Sequence, residues 1–224
     1  MIDSAVLQLN NSQFSIKDAK RFDGSNAHGA KGYSVRSYYS STYQKSWKNR
    51  GIYCPSFTLH FRRSGSKEPI KTLVIQFSPP KIIYGTNAFE TDIYDLDKIY
   101  KNLLFFMNGL GIETTIDNIR QAILRRVDFS KIIILAVYLG VADKVVRILS
   151  RFDYKPESDF LYDGYSNGEM GAKVKFHNST QGFVVYDKIG EILNTGYTKQ
   201  EKFIIGKYKE KKTKRLIKLE LSLQ

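Results

Sequence analysis

The segment from Leu124 to Val137, LRRVDFSKIIILAV, constrains the fold more than any other part of this chain. It runs apolar with little alternation, the pattern of a central strand buried on both faces. Such a strand needs neighbours, and the sequence supplies them. Met1 to Leu9 reads as a strand, and Ser56 to Arg63 pairs with Lys71 to Phe77 through the turn chemistry of Ser64-Gly65-Ser66 and Pro69. Lys173 to His177 and Phe183 to Tyr186 form a hairpin around Asn178-Ser179-Thr180-Gln181-Gly182, and Leu216 to Leu223 is the last strand. Helices fall between them. The acidic lead Asp92 to Asp97 opens an amphipathic helix that the glycines at Gly109 to Gly111 stop. Shorter helices are expected from Ser15, as cap, to Phe22, from Ala142 to Phe152, and from near Asp187, with Asp153 to Gly171 as a loop. Strands and helices in this irregular order specify an α+β fold, a central, largely antiparallel sheet with flanking helices. Without repeats or a linker, residues 1–224 read as a single domain.

Charge narrows the partner. The formal net charge is +13 and the pI about 9.6, a surplus of Lys and Arg that attracts phosphate backbones and releases their counterions. DNA or RNA therefore leads over a membrane surface. No run approaches the roughly 18 apolar residues of a spanning helix, and the N-terminus lacks a signal-peptide core, so a soluble, cytoplasmic protein is expected. The single cysteine, Cys54, excludes a disulfide framework and a Cys-rich zinc site, and reads as an inert buried thiol. There is no His-x-His pair, P-loop, nucleophile elbow or Rossmann glycine set, which removes the common nucleotide-driven and hydrolase schemes. His28, His60 and His177 are scattered.

The chemistry-bearing segments are Tyr186-Asp187-Lys188-Ile189-Gly190-Glu191, emerging from a strand, Arg126-Val127-Asp128 on a second and Lys218-Leu219-Glu220 on a third. A fourth, Ser78-Pro79-Pro80-Lys81, continues with Gly85, Asn87, Phe89 and Thr91-Asp92, and the chain starts Met1-Ile2-Asp3. In this order they resemble the filamentous-phage gene II/X replication protein family and its plasmid rolling-circle initiator relatives, over nearly the whole chain. The resemblance implies a DNA-nicking domain with Tyr186, in its Y-x-K pattern, as nucleophile. Its reaction would be site-specific, metal-dependent nicking and rejoining of one strand at a single-stranded, hairpin or supercoiled origin. The expected setting is a bacterial host's cytoplasm, with host helicase and polymerase as further partners. Full-length members generally continue beyond the last strand, so this sequence is either a catalytic domain or a naturally short form.

A tyrosine suits a nick that must be resealed, because transesterification stores the phosphodiester as a 5′-phosphotyrosine and frees a 3′-hydroxyl primer. A phenol with a pKa of about 10 needs a divalent cation on the phosphate and a nearby positive charge. Lys188, two residues on, shares the face of Tyr186 if strand geometry persists. Asp128 and Glu220, with Glu191 as a weaker third, are the proposed ligands for Mg²⁺ or Mn²⁺, hard cations that prefer oxygen donors. The wider superfamily uses a His-hydrophobe-His motif, absent here, so His177 stays an unassigned candidate.

Two basic stretches could grip DNA. From Tyr33 to Tyr53 aromatics interleave with Arg36, Lys45, Lys48 and Arg50, and Trp47 could stack on bases; the bland alternative is aromatics turned inward as core. The second stretch carries Lys199, Lys202, Lys207, Lys209, Lys211, Lys212, Lys214 and Arg215, either a solvated loop or a set of phosphate contacts. Arg126 joins the expected DNA contacts. A non-catalytic origin-binding or replication-regulating protein, or a nickase of conjugation or transposition, would share most of these features.

Overall fold

Strand alternation builds the molecule, seen in a computed structural model that describes residues 1–17, 28–30, 33–37, 46–62, 70–135, 144–145, 148, 159–164, 172–177, 181–210 and 215–223. The strands are β1 (Ile2–Asn10), β2 (Ser15–Ile16), β3 (His28–Ala30), β4 (Tyr33–Ser37), β5 (Ser56–Arg62) and β6 (Ile70–Phe77) in the first part. They continue as β7 (Ile112–Glu113), β8 (Ile123–Leu135), β9 (Asp159–Gly164), β10 (Ala172–His177), β11 (Gln181–Asp187) and β12 (Arg215–Leu223). Ten of them form one sheet in the order β3-β4-β5-β6-β1-β8-β12-β11-β10-β9, and every pairing in it is antiparallel. The helices are α1 (Pro79–Tyr84), α2 (Leu96–Gly109), α3 (Ile116–Arg120), α4 (Lys188–Thr195) and α5 (Lys199–Lys209). The fold is thus α+β, with a central antiparallel sheet.

One half of the sheet carries the apolar core. Phe57 and Leu59 of β5, and Leu73, Ile75 and Phe77 of β6, alternate inward with the period of two that a pleated strand imposes. Over them lies α2, whose Ile99, Leu103, Phe106 and Met107 fall on one helical stripe. Asp92 opens the helical segment by accepting from the Tyr94 amide at 2.8 Å, and Gly111 follows it with φ +76°, as the acidic lead and glycine stop predict. Each fully buried Leu here contributes about 1.5–3 kcal/mol.

β8 is central, lying between β1 and β12, but it is not buried on both faces. Ile123, Leu124, Ile133 and Ile134 are exposed, whereas Asp128 and Ser130 are buried. The expected helix at Ser15 is also replaced. Ser15 and Ile16 form β2 against β7, and the Ser15 hydroxyl donates to Glu113 Oε2 at 3.0 Å instead of capping; the remainder of that segment, residues 18–22, lies outside the described residues. The loop expected from Asp153 to Gly171 contains β9, which the cross-strand register with β10 stabilises. Of the helix expected from Ala142 to Phe152, residues 144, 145 and 148 are described and helical. Finally, part of the basic stretch after Thr198 is a helix, α5. Thr198 Oγ1 accepts from the Glu201 amide at 3.0 Å while Glu201 Oε2 accepts from the Thr198 amide at 3.2 Å, a reciprocal capping box that nucleates it.

Candidate active site

The second half of the sheet buries polar groups, and register explains which. Tyr186 of β11 faces Lys218 of β12, while Glu220 and Ser222 of β12 face Ser130 and Asp128 of β8. Because side chains alternate across a strand, Tyr186, Lys218, Glu220, Ser130 and Asp128 share one face. Ser4 of β1 lies opposite Asp128, and the register shift between Ile2 and Ser4 leaves Asp3 as the extra residue. Such bulges re-aim a side chain, so Asp3 and Ser4 both line the same cavity. That cavity, about 260 Å³, is lined by Asp3, Ser4, Asn87, Asp128, Tyr186, Glu191 and Glu220.

Its groups are paired. The Tyr186 hydroxyl donates to Glu220 Oε1 at 2.5 Å. Lys218, fully buried, pairs with Asp3, lies 3.4 Å from Glu220 Oε1 and donates to the Asn87 carbonyl at 3.3 Å. Lys188, also fully buried, pairs with Glu191, and its ammonium sits 5.5 Å from the centre of the Tyr186 ring. Asp128 accepts from Arg126 Nε and Nη2 at 2.9 and 3.0 Å and from the Ser4 hydroxyl. The R-x-D segment is therefore an ion pair at the cavity.

Burial dominates the proton affinities. It pushes the Tyr186 phenol well above its ordinary 10, with the Glu191 and Glu220 charges and the hydrogen bond to Glu220 adding to the rise. Burial, and then the charge of Asp3, raise Glu220 against the opposing pull of Lys218. Burial lowers Lys188 from 10.5 to about 8, opposed by Glu191 and assisted by the Lys218 and Lys81 charges. A phenol held this firmly in its neutral form becomes a nucleophile only when a base takes its proton, and Glu220 is in place to do so.

Lys188 reaches the site by another route than the expected one. β11 ends at Asp187, whose carboxylate accepts from the amides of Ile189 and Gly190 at 3.0 and 3.1 Å. Lys188 is thus the first residue of a helix, and Glu191, one turn on, meets it. The structure brings Tyr186, Lys188, Asp128, Glu191 and Glu220 together. Sequence reasoning passed over Asp3, Ser4, Asn87 and Lys218 as site residues. Asp3, Asn87 and Lys218 stood in the motif segments without a role, and the alternation Lys218-x-Glu220 reads equally as a solvated face.

The donor set suits a hard divalent cation, because four carboxylates, an amide and two hydroxyls supply oxygen donors and no imidazole or thiol. Among the described residues no group of three or more His, Cys, Asp or Glu is arranged to hold a metal ion. His60 lies on β5, where burial and then Arg125 lower its pKa; His28 and His177 lie on β3 and β10.

The expected DNA contacts divide. Trp47 packs edge-on against Phe105 and Phe106, with ring centres 6.0 and 5.5 Å apart, and Arg50 lies 5.8 Å from its ring. Lys48 sits 5.3 Å from the Tyr197 ring. Trp47 thus belongs to the rim of the apolar core. Lys207 lies on α5, 5.6 Å from the Phe203 ring and 4.0 Å from Glu210. Arg36 is on β4, Lys209 ends α5 and Arg215 opens β12, while Lys45, Lys211, Lys212 and Lys214 lie outside the described residues. Cys54 is buried, its thiol pushed up to about 12 by burial. No helix among the described residues is long and apolar enough to cross a membrane.

No family model matches this chain, and no curated protein matches it. A solved structure, that of the rolling circle replication initiator protein from Geobacillus stearothermophilus, is similar with a TM-score of 0.36 and 11% identity, over 100% of this chain and 73% of the other. At that level of likeness, the chemistry has to be read from the side chains themselves.

Proposed function

We propose that this chain is a metal-dependent tyrosine endonuclease and strand transferase that opens one DNA strand to start rolling-circle replication. The observation that carries this reading is the Tyr186 hydroxyl bonded to Glu220 within a cavity of four carboxylates, beside the buried lysines 188 and 218. Tyr186 passes its proton to Glu220 and its oxygen attacks phosphorus. A tyrosine–phosphate ester forms as the bond to the 3′-oxygen breaks, and that oxygen leaves as a hydroxyl on taking up a proton. Lys188 supplies positive charge beside the ring. A bound Mg²⁺ or Mn²⁺, held by Asp128 and Glu220 with Glu191 as a weaker third, would polarise the scissile phosphate. Because Tyr186 is only 5% exposed, a single strand threaded into the cavity is the fitting substrate and an intact duplex is not. The freed 3′-hydroxyl would prime a host polymerase, with a host helicase opening the duplex, in a bacterial cytoplasm. The motif order, resembling that of the gene II/X proteins, supports an origin as the target.

The experiment is incubation with a pool of labelled single-stranded DNA and Mn²⁺, followed by a denaturing gel. The wild type should carry covalently bound label. Tyr186→Phe should bind the DNA as well but form the adduct on the order of a thousandfold less or worse; equal adduct from that variant removes Tyr186 as nucleophile. The burial of Tyr186 and the pairing of every carboxylate in the cavity favour a second reading, a non-catalytic origin-binding protein. Tight binding without adduct or nicked supercoiled plasmid would establish that reading instead.

A further inference from the structure

Asn87 lines the same cavity and is not used by the chemistry above. It is only 8% exposed, and its Oδ1 is fully buried with no hydrogen-bond partner. Leaving an amide oxygen in this state costs free energy, on the order of 1–3 kcal/mol, so its position calls for a positive partner. The backbone that places it is specific. Pro79 starts α1, and Gly85 ends it in the left-handed region at φ +69°, its amide bonded to the Lys81 carbonyl at 3.0 Å. Asn87 follows two residues later, its own carbonyl taking the bond from Lys218. Lys218 thereby gathers Asp3, Asn87 and Glu220 around one point. The cavity's four carboxylates face three cations, Lys188, Lys218 and Arg126, which leaves a surplus of negative charge. A neutral oxygen without a donor, set in a negative cavity, selects a cation over an anion.

We infer that Asn87, through Oδ1, and the Asp3 carboxylate are ligands of the divalent cation, beside the carboxylates already named. This rests on the metal-dependent reading.

The test is titration of the full chain with Mn²⁺, following free Mn²⁺ by electron paramagnetic resonance, with thermal melts in the absence and presence of the metal. Loss of supporting residues around a metal site already weakens binding about 10–100-fold, so Asn87→Ala should lose at least about tenfold in Mn²⁺ affinity while its metal-free melting temperature does not fall. Asn87→Asp should bind Mn²⁺ at least as tightly as the wild type and gain more melting temperature from it. Asp3→Asn should weaken binding. Wild-type affinity in Asn87→Ala, or a loss in Asn87→Asp as large as in Asn87→Ala, overturns the inference and leaves the nucleophile standing. A wild type that binds no Mn²⁺ overturns it together with the metal dependence, while the adduct assay still judges Tyr186 separately.

Discussion

The two halves of the large sheet are both buried, but with opposite contents. On one side Phe57, Leu59, Leu73 and Ile75 pack under α2 with almost no exposure; on the other Lys188 and Lys218 are fully buried and Asp3 and Asp128 nearly so. The apolar half is stabilised by removing hydrocarbon from water. Burying a charge costs several kcal/mol before its partner returns any of it, and a buried ion pair is often no better for stability than well-packed apolar groups of the same volume. The polar half is therefore the part of the molecule whose residues call for an explanation in chemistry, and perturbed proton affinities gather there.

The comparison is broken most forcefully at Lys218. Lys218→Met leaves Asp3 buried without its cation and should cost about 3–5 kcal/mol, read as a shift in urea midpoint. Combining it with Asp3→Leu should recover most of that stability while adduct formation stays absent. A double variant as unstable as the single one would mean that the pair serves the fold itself.

Lys188 offers a smaller, pH-resolved effect. Its folded pKa is depressed, from 10.5 to about 8. Below about 8 both folded and unfolded chains hold the proton and the burial penalty is complete. Between about 8 and 10.5 the unfolded chain keeps a proton that the folded chain has released, so stability rises with pH. Relative to Lys188→Met, the wild type should gain about 1–3 kcal/mol across that window, measured by urea denaturation at pH values spanning it; a flat difference would show that Lys188 stays charged when folded.

The smallest effect belongs to the apolar half. Ile75→Val should cost about 0.5–1.5 kcal/mol and leave the adduct yield per folded molecule unchanged. A larger loss of activity than of stability would show that the two halves are coupled through β1 and β6.

Much of the architecture was legible in the sequence because it rests on local patterns: β6 on alternation, α2 on its acidic opening and glycine stop, α4 on the aspartate that caps it. Where the sequence misled, a non-local partner or an unread cap decided. Ser15 became a strand residue because Glu113 lies opposite, β9 exists because β10 pairs with it, and α5 was hidden by the charge of its lysines although Thr198-x-x-Glu201 was present as a capping box.

By itself, the sequence determined the kind of fold and the basic charge that suits a phosphate backbone, and a motif resemblance singled out Tyr186, Lys188, Asp128, Glu191 and Glu220 as candidates. Only the tertiary structure decided that Tyr186, Asp128, Glu191 and Glu220 line a single cavity, that Lys188 meets Glu191 from a helix and not a strand, and that Asp3, Asn87 and Lys218 complete the cluster. The physical reason is range. Periodicity, caps and turns act over a few residues, but Lys218 meets Asp3 across 215 positions, and that contact depends on β8 lying between their strands and on a bulge that no local pattern announces.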